Sequence, residues 1–217
     1  MLIENELYGS ATPICGERFR GKKERSRNLT KTVEIMLASF YQNFLEKYLN
    51  KAQLITLKML VWLLQNQKQV KIERLAATLP LPIQQNSHRR HLQRFLTLNA
   101  LSVVLLWFPI IEAIINQHFK QGSQLTIAMD RTQWKENNVL MVSVIYQKRA
   151  WPIYWCLLEK DGCSNLEEQQ KVLRPVIRLL KKYELVIIGD REFHSIELGN
   201  WLHKQHIGFA LRQKKDP

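Results

Sequence analysis

Two stretches close alike: Leu125-Thr126-Ile127-Ala128-Met129-Asp130 and Leu185-Val186-Ile187-Ile188-Gly189-Asp190. Each is a short apolar run ended by a carboxylate, the pattern of a buried strand with an acidic residue at its carboxyl end. Between them, Val139 to Tyr146 and Ala150 to Leu158 are further strand-like runs. The polar Gln147-Lys148-Arg149 separates these two, which predicts a hairpin. Pro152 has no N–H to give a ladder, so the Ala150–Leu158 run is expected at a sheet edge. Ser164-Asn165-Leu166-Glu167 reads as a capping box opening a helix that runs to about Tyr183, with Pro175 kinking or dividing it. A helix over Phe193 to Gln205 and a last strand over Ile207 to Arg212 follow. The order β-β-β-α-β-α-β, a meander followed by helix crossovers, predicts a mixed α/β sheet.

Upstream the periodicity is helical. Val33, Met36, Leu37, Phe40, Phe44 and Leu45 recur at helical spacing, and Leu54 to Leu64 is apolar on most sides, as in a buried central helix. Val70 to Leu79 is a third helical run, stopped by Pro80 and Pro82. Asn86 and Ser87 are placed to cap a fourth helix, His88 to Leu98. At about 100° per residue, Arg89, Arg90, Gln93 and Arg94 share one side of it and Leu92, Phe95 and Leu96 the other. A short helix, a break and a basic second helix fit a helix-turn-helix-like DNA reader; a solvated basic face on an ordinary packing helix has the same pattern. A further helix, Val103 to Phe119, carries Pro109 as a potential kink. Residues 1–27 show no apolar periodicity and end in a basic run, which reads as a flexible arm. Three regions result: a basic arm (1–27), an all-α helical domain (28–121) and a mixed α/β domain (122–217).

The chain has 217 residues and a formal net charge of +13. Residues 1–100 hold 16 basic and 7 acidic residues, and residues 101–217 hold 16 and 12, so the excess lies mainly in the helical half. That sign favours phosphate-rich partners or anionic surfaces. No stretch reaches the roughly 18–20 uncharged apolar residues of a membrane span. Three cysteines, Cys15, Cys156 and Cys163, without a CxxC pair, argue against a disulfide scaffold or a cysteine zinc site and for a cytoplasmic setting.

Neighbouring parallel strands bring Asp130 and Asp190 close together. Like charges at that distance repel unless a divalent cation lies between them. Carboxylate oxygens suit Mg²⁺ or Mn²⁺, the ions of phosphoryl transfer. The plain alternative is that both aspartates simply end strands. Arg131 and Arg191, directly following, are candidates for holding phosphates or for structural ion pairs. Glu192 reads as either a support of the site or a helix starter, and Trp134 as either a packing residue or a base-stacking one. Trp151 and Trp155 are expected on one strand face by period two. His194, His203 and His206 lack the paired spacing of a zinc site.

The segments Asp130-Arg131-Thr132-Gln133-Trp134, Leu157 to Asn165, Gly189-Asp190-Arg191-Glu192-Phe193 and His88-Arg89-Arg90-His91-Leu92-Gln93-Arg94-Phe95 together resemble the bacterial insertion-sequence DDE transposases of the cut-and-paste "IS-four" family. The resemblance covers about residues 28 to 215. It implies an RNase H-like catalytic sheet and Mg²⁺-dependent nicking at transposon ends, followed by attack of the freed 3′-hydroxyl. Asp130 and Asp190 match the family's two aspartate metal ligands. The basic-face residues Arg89, Arg90, Gln93 and Arg94, with Arg131 and Arg191 beside the aspartates, are the candidate contacts to double-stranded DNA, which the resemblance makes the terminal inverted repeats. It also implies a homodimer on paired ends, in a bacterial cytoplasm and at the nucleoid when DNA is bound.

One departure stands out. The family's third carboxylate, a Glu within Tyr-x2-Arg-x3-Glu-x6-Lys on a later helix, has no counterpart after Asp190, where only Glu192 and Glu197 follow as glutamates. The expectation is therefore a truncated, interrupted or split copy with an incomplete RNase H-like sheet, inactive alone, its missing part supplied by a second chain if at all. The alternative is a non-catalytic DNA-binding protein, or an inhibitor of an intact transposase.

Overall fold

The computed structural model describes residues 37–213. The basic arm at 1–27 and the helical positions Val33 and Met36 lie outside the described residues. Among the described residues, five α-helices come first: α1 (Ser39–Leu45), α2 (Lys51–Gln67), α3 (Ile72–Thr78), α4 (Gln85–Leu96) and α5 (Phe108–His118). A mixed α/β region follows, with β1 (Gln124–Trp134), β2 (Asn137–Tyr146), β3 (Arg149–Leu158), α6 (Leu166–Leu179), β4 (Glu184–Gly189), α7 (Ile196–Lys204) and β5 (Gly208–Leu211).

Asn50 caps α2 in a capping box with Gln53, satisfying two amides that the first turn leaves free. Met59, Leu60 and Leu63 of α2 meet Leu75 and Ala76 of α3 and Leu92 and Phe95 of α4 in one small core. Ile110 joins Leu45, Leu49 and Leu54 in a second. Three helical details differ from expectation. Helix α4 starts at Gln85, and its cap residue Gln84 makes no side-chain cap bond, so Asn86 and Ser87 lie inside the helix. Residues 103–118 are helical without a break, close to the expected span, but the turn before Pro109, Val103–Trp107, is π-helical rather than α-helical and leads directly into α5. The break between α3 and α4 spans residues 79–84, longer than the roughly 3–4 residues of a helix-turn-helix turn.

The strand order is β3-β2-β1-β4-β5. β1 is antiparallel to β2 and parallel to β4; β2 is antiparallel to β3; β4 is parallel to β5. Only β2 therefore runs against the others, and β3 is an edge strand as Pro152 requires. Gln147 and Lys148, at φ 46° and 64°, make the two-residue β2–β3 turn, a backbone whose twist matches the hairpin. Pro175 does not divide α6, which is a single helix. Its cap is Asn165, reciprocated by Glu168, one residue later than the box read from the sequence.

Alternation sorts the sheet into two faces. One carries Leu125, Ile127, Met129, Leu140, Val142, Val144 and Ile187, which join Ile111 and Ile115 of α5, Val172, Leu173 and Val176 of α6 and Leu198 and Leu202 of α7 in the main core. The other face carries Ala128, Val139, Met141, Val186 and Ile188, all part-exposed, and Leu157, which is 64% exposed. Trp151 and Trp155 do not share a face. Tyr154 pairs with Val142 but Pro152 with Ser143, so Ile153 is an extra, bulged residue that reverses the alternation. Trp151 packs on the main core, whereas Trp155 lies on the open face beside Met141.

Candidate two-carboxylate site

The β1–β4 ladder ends at the pair Met129–Gly189. Asp130 and Asp190 are the next residues on the two strands, whose backbones lie about 4.8 Å apart along a sheet. Both follow a core-facing position, so both belong to the open face, and both are exposed. Asp190 ends its strand as expected. Asp130 does not: β1 continues in its hairpin with β2 to Trp134. The first aspartate therefore sits where β4 departs rather than where β1 stops.

Each aspartate is held by a neighbouring amide. Arg131 N–H donates to Asp130 Oδ1 at 2.9 Å, and Glu192 N–H donates to Asp190 Oδ1 at 3.0 Å. Asp190 thereby caps the 3-10 turn Arg191–Phe193, which is anchored by the fully buried Phe193 ring. Two hard-oxygen side chains fit a Mg²⁺ or Mn²⁺ ion, which commonly takes one or two carboxylates and fills its shell with water and substrate phosphate. Among the described residues, no cluster of three or more His, Cys, Asp and Glu side chains forms a metal cage, and His194, His203 and His206 are not gathered into one.

Behind the aspartates lies a network joining four segments. Arg131 Nε donates to Glu192 Oε2 at 2.5 Å, and its Nη1 donates to Asn138 Oδ1 at 3.1 Å and Gln133 Oε1 at 3.3 Å. Glu192 Oε1 accepts from the Ser164 amide at 2.9 Å and the Ser164 hydroxyl at 2.8 Å. Asn138 Nδ2 holds the carbonyls of Lys160 and Gly162. Buried Gln169 donates to the Ser164 carbonyl and hydroxyl. Burial pushes the Glu192 carboxyl up, but the Ser164 amide, Arg131 and the Ser164 hydroxyl outweigh it and hold the group below its ordinary value. Glu192 is thus an anion with both oxygens committed to protein donors. The Arg131 guanidinium is held by its bond to Glu192, which raises its already high pKa against the opposing effect of burial. Of the two arginines read from the sequence, Arg131 faces protein partners and Arg191 is exposed. Trp134 is 66% exposed with Lys135 Nζ 5.0 Å from its ring centre, so it is no packing residue.

The other candidates lie on α4. Arg89, Arg90, Gln93 and Arg94 are exposed, while His88, Leu92 and Phe95 are buried. Leu96, expected on the apolar side, is 52% exposed. Arg89 pairs with Glu73 at 3.2 Å across a solvated gap between α3 and α4, an arrangement of small energetic weight. Two histidines fix the helix: His88 Nδ1 lies 3.0 Å from the Ala76 carbonyl, and His91 Nε2 lies 3.0 Å from Thr56 Oγ1. The sequence singled out neither contact, nor the roles of Asn138, Ser164 and Gln169. No local signal marks them, because their sequence neighbours are themselves polar, as in Glu167-Glu168-Gln169-Gln170-Lys171 and Asn86-Ser87-His88-Arg89-Arg90.

Among the described residues, no helix is long and apolar enough to cross a membrane. Comparison with known protein families and with curated proteins finds no match for this chain.

Proposed function

We propose that the chain carries part of a metal-dependent DNA-transposing enzyme, with an RNase H-like sheet and a preceding helical DNA-binding domain. The observation that carries the reading is the parallel β1–β4 register, which brings Asp130 and Asp190 to one edge of one sheet face. The strand order β3-β2-β1-β4-β5 with β2 alone reversed supports the RNase H-like assignment. Asp130 and Asp190 are the proposed ligands of Mg²⁺ or Mn²⁺. Such an ion, when bound, supplies charge neutralisation at a phosphoryl group and activation of an attacking oxygen. The residues around it orient the two carboxylates, and exposed Arg191 meets the DNA phosphates.

Two carboxylates make an incomplete catalytic set in this reading. The apolar face beside them, with Val139, Met141, Trp155 and Leu157 part-exposed or exposed, supports completion by a further element that covers it and carries a third carboxylate. The chain alone is therefore proposed to bind metal and DNA without cleaving. Titration of Mn²⁺ into the chain and into Asp130→Asn and Asp190→Asn variants tests the site.

A second reading, a DNA-binding protein without chemistry, is favoured by the exposed Arg89, Arg90 and Arg94 on a helix whose opposite side is buried. Under it, binding of duplex DNA depends on those arginines and ignores the aspartates. A gel-shift titration of both variant sets separates the readings. Equal loss of DNA binding in the aspartate variants, with Mg²⁺ present, speaks for a metal-assisted contact.

A further inference from the structure

We propose that the Arg131–Glu192 ion pair is a positioning clamp that sets the separation of the Asp130 and Asp190 carboxylates. The inference rests on the metal reading of those two residues. Past Met129–Gly189 the ladder gives out: β1 stays with β2, and the chain after β4 turns away into the Arg191–Phe193 turn. No backbone pairing therefore joins position 130 to position 190. The ion pair does, between the residue after the first aspartate and the second residue after the other. It is well shielded, at 17% and 9% side-chain exposure.

Each end is further fixed. Asn138 and Gln133 hold the Arg131 fork from β1 and β2. Ser164, at the start of the α6 cap, holds the free oxygen of Glu192 with two donors. Glu192 has a second link as well, because its own amide caps Asp190. A shift of Glu192 therefore moves the Asp190 carboxylate directly. A shielded ion pair adds little net stability over apolar replacement, but its fork geometry constrains direction and distance closely. Metal sites tolerate only about 0.5 Å of looseness in their ligands. The pair is also neutral as a unit, so it holds the aspartates without placing an uncompensated cation beside the metal.

The test uses charge-conserving variants of the full chain, so that lost geometry is not confused with lost charge. Glu192→Asp keeps the anion but shortens it by one methylene; Arg131→Lys keeps the cation but loses the fork. Mn²⁺ affinity is measured by calorimetry, and folding by thermal unfolding. The expected result is a drop of about tenfold in Mn²⁺ affinity in each variant, the size seen when outer partners of metal ligands are changed. Arg131→Lys gives the answer should Glu192→Asp not fold. Wild-type affinity in a folded variant overturns the clamp and leaves the metal site standing. Absence of Mn²⁺ binding by the unchanged chain, or binding that survives Asp130→Asn and Asp190→Asn, overturns the metal site and the clamp with it.

Discussion

Gly189 is the last residue of the β4 ladder, directly before Asp190, and adding one methyl group there tests the local packing. A Cβ at 189 meets Phe193 Cδ2 at 2.9 Å, Phe193 Cβ at 3.0 Å and Leu211 Cδ2 at 3.2 Å. Phe193 is fully buried and its Cβ is tied to the backbone of the Arg191–Phe193 turn, so the ring cannot swing clear without moving that turn. The backbone itself is not the obstacle, since Gly189 is not among the positive-φ glycines. The cost of Gly189→Ala is therefore overpacking, about 1–3 kcal/mol. For a chain of this size that lowers the melting temperature by about 2–12 °C. The displaced turn carries the Glu192 amide that caps Asp190, so Mn²⁺ affinity should fall as well. Thermal unfolding by circular dichroism and Mn²⁺ calorimetry on the same sample read both effects. A melting temperature within a degree of the parent would refute the packing argument. Reduced stability with unchanged Mn²⁺ affinity would refute the link between the turn and the site.

Three further predictions rest on separate parts of the structure. Glu192 titrates below its ordinary value of 4.5 in the folded chain, so its stabilisation is complete above that value and is lost as pH falls through the folded-state value. Arg131→Met removes a cation that opposes the effect of burial, so acid unfolding followed by circular dichroism should move to higher pH. Replacing Arg89, Arg90 and Arg94 together by Gln should weaken duplex DNA binding and reduce the slope of log affinity against log salt by about 2–3, read from gel shifts at several salt concentrations. Leu173→Ala, in a side chain with no exposure at the centre of the main core, should cost about 2–5 kcal/mol by urea unfolding.

The sheet was legible in the sequence because its signals are local. Apolar runs closed by polar turns mark all five strands, and Pro152 places β3 at the edge. Register was less accessible. The bulge at Ile153 inverts the alternation in β3 and separates Trp151 from Trp155, and no residue type announces it. The α6 cap moved for a long-range reason: Glu192 engages the Ser164 amide and hydroxyl, and Asn165 caps the helix instead. Both aspartates read as strand ends in the sequence, which holds for Asp190 only, since β1 runs on past Asp130 to Trp134. Their support could not be read there, because Arg131 and Glu192 are 61 residues apart in sequence and meet only when β1 and β4 pair. The same separation explains why the sequence leaves Arg131 open between a phosphate contact and a structural ion pair, and only the fold supplies Glu192 as its partner.

The central claim is that Asp130 and Asp190 jointly hold a divalent cation. Calorimetric titration of Mn²⁺ into the full chain, Asp130→Asn and Asp190→Asn, each checked for an unchanged melting temperature, tests it most directly. The account predicts measurable binding by the unchanged chain and a loss of at least about tenfold in each variant, since either substitution removes one of only two anionic ligands. Equal affinity in all three chains would contradict it.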